Sequence, residues 1–103
     1  MYDLQDKQKK QAEIKFYRAL KINGKYPIAL LEMAKIRYRK GNMMSARGFI
    51  ERYFSAAGKT LEGLQLAIKI EKALQAHDMV DQYQLELKRA FPYSDAAEKL
   101  DSL

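Results

Sequence analysis

The feature that most constrains this chain is a period. A step of 34 residues takes Ala12 to Ala46, Phe16 to Ile50, Ala19 to Tyr53, Leu20 to Phe54 and Gly24 to Gly58. A second step reaches Val80, Gln84, Leu87, Lys88 and Pro92. Between these blocks, Leu30 pairs with Leu64, Met33 with Ala67 and Ala34 with Ile68. Small or apolar residues return at most of these places, and a helix stopper returns at every repeat end. Within a block, steps of three and four set the apolar residues on one side of a helix. The length suits one helix–turn–helix unit stacked on copies of itself. The predicted fold class is all-α, with antiparallel helix pairs stacked in a solenoid.

Stop and start signals give the map. The first helix is predicted over about residues 3–22, and the second from Pro27, which suits a first-turn position, to just before Gly41-Asn42. The third runs from Met43 to about Ala57 and stops at Gly58. Thr60 is the N-cap expected for the fourth, with Gly63 an odd but tolerable residue in its first turn. The fifth starts near Asp78 and ends before Pro92, and Ser94 caps a last short helix. This is one domain: a half unit at about 3–24, units at about 26–58 and 60–92, and a C-terminal helix at about 95–102. The third block is the most degenerate, with Gln75 where a turn glycine is expected and Gln84 at an aromatic position. Ala12 and Ala46 are expected to let helices approach closely, with the aromatic residues filling the space between them.

Composition narrows the function classes. There is no cysteine and one histidine, His77, in a helix–helix turn beside Asp78, so a transition-metal site lacks ligands and no cofactor is expected. No glycine-rich phosphate loop occurs. The carboxylates mostly sit near a Lys or Arg, as Glu71 does beside Lys72, and read as surface partners, not acid–base pairs. An enzyme is not expected. A net charge of +6 would permit binding to nucleic acid, but outside Lys7-Lys9-Lys10 and Arg37-Arg39-Lys40 the cations are scattered among glutamates, which disfavours that role. No apolar run approaches a bilayer span, and no apolar segment follows a basic N-terminus.

The second block reads Leu30, Met33, Ala34, Tyr38, Gly41, Ala46, Ile50, Tyr53, Gly58, and so resembles the tetratricopeptide repeat. That resemblance implies a right-handed α-solenoid. A closer likeness spans about residues 12–100. The runs ALLEMAKIRYRKGNMMSARGFIERY and IKIEKALQAHDMVDQYQLELKRAFPYS are similar to the C-terminal half of type IV pilus biogenesis and stability proteins, which are outer-membrane pilotin lipoproteins. The polar matches Arg47, Glu51-Arg52, Glu71 and Asp78 carry it. The resemblance implies a place at the periplasmic face of the outer membrane, with the pilus secretin as protein partner. It also implies upstream repeats, a signal peptide and a lipidated cysteine, so the expectation is a C-terminal piece of a longer protein whose membrane attachment is a lipid anchor absent from this chain. The first helix would then lack its partner helix, leaving Ile14 and Tyr17 exposed to drive a homodimer.

What remains is binding. In stacked helical pairs the first helix of each unit lines the concave side. The residues there not assigned to packing are Leu31, Lys35, Tyr38 and Arg39, then Gln65, Lys69 and Lys72. The mixture suits an extended peptide with some acidic character. Repeats that clamp chaperone C-termini use a Lys and an Asn where this chain has Leu31 and Lys35, then Gln65 and Lys69, so that clamp is not expected. A generic repeat scaffold in another complex stands as the alternative.

Overall fold

The computed structural model describes residues 4–100, with side chains from Lys7 onward. Six helices follow one another: α1 (Leu4–Ile22), α2 (Pro27–Arg39), α3 (Met43–Ala57), α4 (Leu61–Ala73), α5 (His77–Ala90) and the short α6 (Asp95–Glu98). No strand occurs among the described residues. Residue 3 of the predicted first helix and residues 101–102 of the predicted last one lie outside the described part.

The ends of the helices follow from local chemistry. Pro27 occupies the first turn of α2, where its missing N–H has no partner to lose. The Thr60 hydroxyl accepts from the Gly63 N–H at 3.1 Å, and the Ser94 hydroxyl accepts from the Ala97 N–H at 3.1 Å. The first helix of each full unit ends in the same turn. After α2, the Gly41 N–H donates to the Tyr38 carbonyl at 3.0 Å and the Asn42 N–H to the Arg37 carbonyl at 2.9 Å. After α4, the Gln75 N–H donates to Lys72 at 3.1 Å and the Ala76 N–H to Glu71 at 3.0 Å. Both are Schellman closures, which need a left-handed residue after the cap. Gly41 takes φ 80° at little cost, whereas Gln75 takes φ 58° with a side chain attached.

The helices pair as α2 with α3 and α4 with α5, α3 packs onto α4, and α1 packs onto α2. Leu30, Met33, Ile50, Leu64, Ile68, Ile70 and Leu87 are fully buried along this stack. Ala46 is fully buried, so a larger residue there must displace neighbours. Ala12, its equivalent on α1, is only half-buried.

Gly63 is not merely tolerated. A Cβ there would lie 2.7 Å from Phe54 Cε1 and 2.8 Å from Tyr53 Cε2. The α3 aromatics therefore press onto the backbone of α4, with the Phe54 ring between those of Tyr53 at 6.0 Å and Tyr83 at 5.8 Å, tilted 52° to each. The Tyr53 hydroxyl shares a 2.9 Å hydrogen bond with that of Thr60, so the cap, the aromatic and the glycine form one joint.

Ion pairs also obey the period, with their signs reversed. On α1, Glu13 pairs with Arg37 of α2 at 3.2 Å and with Lys40. At the equivalent positions one unit on, Arg47 of α3 pairs with Glu71 of α4, its Nε donating to Oε2 at 2.9 Å and its Nη2 to Oε1. Glu71 is therefore not the surface partner of Lys72 that its neighbour in sequence suggested. It is 1% exposed and held bidentately by a residue 24 positions away.

Ile14 and Tyr17 are about half exposed, 51% and 52%. Their equivalents on α3, Gly48 and Glu51, are exposed too, although α3 is packed against both α2 and α4. Exposure here is a property of the position in the repeat and does not require a missing partner helix.

Candidate binding groove

The first helices of the two units, α2 and α4, run side by side and leave a trough between them. Lys35, Tyr38 and Arg39 line it from α2, and Glu62, Gln65, Leu66 and Lys69 from α4. Spacings of three and four residues along each helix bring these side chains to one edge. Lys35 and Lys69 occupy the same repeat position, 34 residues apart. The cleft holds about 270 Å³, just under the range of enclosed small-molecule pockets, and it is open along its length.

Five of the seven residues picked out from the sequence thus line one cleft. Leu31 does not: it is 7% exposed and packed into the core cluster, because α2 turns it toward the stack of apolar side chains. Lys72 also lies off the cleft and is half-buried, its ammonium donating to the Leu100 carbonyl at 3.4 Å. Glu62 and Leu66 were missed. Their signal was present in the spacing, since Glu62 stands three residues before Gln65 and Leu66 three before Lys69.

The charges in the trough are not equivalent. Lys35 Nζ lies 2.5 Å from Glu62 and 3.2 Å from Glu32, so it bridges the two helices and is held by two carboxylates. The hydrogen bond to Glu62, with that to Glu32 behind it, outweighs desolvation and raises the Lys35 ammonium above its ordinary pKa. Arg39 and Lys69 are exposed, and neither forms an ion pair among the described residues. Two cations are therefore available beside an apolar strip made by Tyr38 and the buried Leu66.

Among the described residues, no three His, Asp or Glu side chains gather to hold a metal ion, and no helix is long and apolar enough to cross a membrane. His77 is exposed at the start of α5.

Stacked antiparallel helix pairs with a 34-residue period and an open trough between first helices define an all-α helical repeat of the tetratricopeptide type. Comparison with known proteins points the same way. Over 94 residues the chain is 31% identical to the type IV pilus assembly protein PilF of Pseudomonas aeruginosa, a match that takes in 91% of this chain and 37% of that protein. The solved structure of PilW, described as a widely conserved type IV pilus biogenesis factor, superposes with a TM-score of 0.83 at 27% identity, covering 93% of this chain and 44% of that one. The solved structure of P. aeruginosa PilF gives 0.80 at 29% identity, covering 96% and 45%. No family model matches. The chain is thus a tetratricopeptide-type repeat that resembles type IV pilus biogenesis proteins, and it spans less than half the length of these relatives.

Proposed function

We propose that this chain is a non-enzymatic protein-interaction scaffold that holds an extended segment of a partner protein in the α2–α4 trough. The observation that carries the reading is the pairing of an apolar strip, Tyr38 and Leu66, with two uncommitted cations, Arg39 and Lys69, in one open cleft. Such a surface suits a peptide with apolar and acidic side chains. The walls are helices already fixed by the core and by the Lys35–Glu62 bridge, so little ordering opposes binding.

The likeness to PilF and PilW supports work in type IV pilus biogenesis. In the fuller reading the chain serves a pilotin at the periplasmic face of the bacterial outer membrane, and the held segment belongs to the pilus secretin. The test is an NMR titration with the periplasmic part of the same organism's secretin. The expected result is a set of shifts centred on Lys35, Tyr38, Arg39 and Lys69. Arg39→Gln and Lys69→Gln should each weaken binding about three- to fivefold, as for exposed charge contacts. A silent titration would sink the secretin as partner. Binding that leaves these four residues unshifted would sink the trough as the site.

A further inference from the structure

The outward face of α1 differs in kind from that of the helices equivalent to it. Lys7, Lys10, Ile14, Tyr17, Arg18 and Lys21 follow one another by steps of three and four, or sit beside such a step, and all are exposed. The stripe is about 21 Å long at 1.5 Å per residue. Glu13, the one carboxylate among the described side chains of α1, is turned away from it toward Arg37 and Lys40. At the equivalent positions of Ile14, Tyr17, Arg18 and Lys21, α3 carries Gly48, Glu51, Arg52 and Ser55, and α5 carries Gln82, Leu85, Glu86 and Arg89. Those faces are mixed in charge, whereas the described part of the α1 face, from Lys7 onward, is cationic with two large apolar groups at its centre. Because the α3 positions stay exposed between two neighbouring helices, this surface stays open in a stacked array.

We propose that this face docks on an anionic membrane surface. Lys7, Arg18 and Lys21 take the phosphate-bearing headgroups while Ile14 and Tyr17 enter the interfacial layer. Long cationic side chains beside apolar groups on a helix lying flat are the arrangement that binds such surfaces. A second copy of the chain is a poorer occupant, since it would set these cations against their own kind. Nucleic acid is poorer too. Ile14, at the centre of the face, offers nothing to a base.

The test is flotation of the full chain with vesicles of equal parts phosphatidylglycerol and phosphatidylcholine, set against phosphatidylcholine alone. Binding to the anionic vesicles only, falling with salt, is expected. Lys7→Gln and Lys21→Gln should each weaken it about fivefold, the worth of one cation near an anionic surface. Ile14→Ser with Tyr17→Ser should weaken it at unchanged charge. Arg39→Gln with Lys69→Gln, in the trough, should leave it unchanged, which separates this surface from the peptide site. All these positions are exposed, so helical circular dichroism should be that of the parent chain. Equal flotation with neutral vesicles, no flotation, or indifference to the Ile14 and Tyr17 changes would overturn the proposal. A dimer dissolved by those changes would hand the face to a second copy. Retention on a single-stranded oligonucleotide, lost with the same lysines, would hand it to nucleic acid.

Discussion

Replacing Arg47 with methionine should destabilise the domain by about 3–5 kcal/mol, because it strands a buried charge. Glu71 is 1% exposed, and Arg47 satisfies both of its oxygens. Methionine keeps much of the bulk of the side chain, so the loss is mainly electrostatic. A domain of this size holds roughly 5–15 kcal/mol in all, and the variant would lose about a fifth of that or more. Breaking the ion pair at the equivalent junction has a different value. The Glu13 side chain is 17% exposed and its partner Arg37 is 29% exposed, so Glu13→Gln leaves Arg37 and Lys40 in reach of water. That change should cost about 1 kcal/mol or less. The double variant Arg47→Met with Glu71→Met removes the charge together with its partner and should recover most of the loss. Urea unfolding followed by circular dichroism measures all three, with midpoints compared at constant slope. Equal losses for Arg47→Met and Glu13→Gln would refute the reasoning, and so would a double variant no more stable than Arg47→Met.

Three further outcomes follow from the turns and the aromatic joint. Gly63→Ala should cost about 1–3 kcal/mol by crowding Phe54 and Tyr53, although alanine is the better helix former by about 1 kcal/mol; a rise in the urea midpoint would contradict the close approach. Gln75→Gly should stabilise by about 0.5–1 kcal/mol, the left-handed penalty less the extra chain entropy of glycine, and raise the melting temperature by a few degrees. Burial, with the Glu71, Glu51 and Glu86 carboxylates behind it, raises the Tyr83 phenol above its ordinary pKa. The unfolded chain therefore releases that proton first. The contribution is complete below about pH 10 and is lost as pH rises through the folded value. Urea midpoints should fall above that pH less steeply in Tyr83→Phe than in the parent, and identical slopes would dismiss Tyr83 as the group responsible.

The helix plan was legible because its punctuation is local: Pro27, Gly58, Thr60 and Ser94 act within a few residues of where they stand. The period carried the stacking, since each apolar stripe needs a neighbour to cover it. Most of the trough was legible too, because Lys35, Tyr38, Arg39, Gln65 and Lys69 follow from which helix of a unit faces inward. What escaped depends on distances across helices. The partner of Glu71 is 24 residues away, while a lysine beside it in sequence offered a plainer answer. Gly63 looked incidental because its constraint comes from rings on the preceding helix. Leu31 passed for a groove residue because a few tens of degrees around α2 separate the lip of the trough from the core.

The reversed ion pairs govern how such a chain can grow or shrink. Solenoids lengthen when a unit is copied in tandem, and every junction must then accept its new neighbour. A second copy of residues 26–59 inserted after the first would bring Arg37 of the copy against Arg47, cation to cation. Deletion of the same stretch would bring Glu13 against Glu71, anion to anion, at a place closed to water. Neither recombination is silent unless a charge is rewritten with it. The order and number of these units are written into the sign of two residues at each seam.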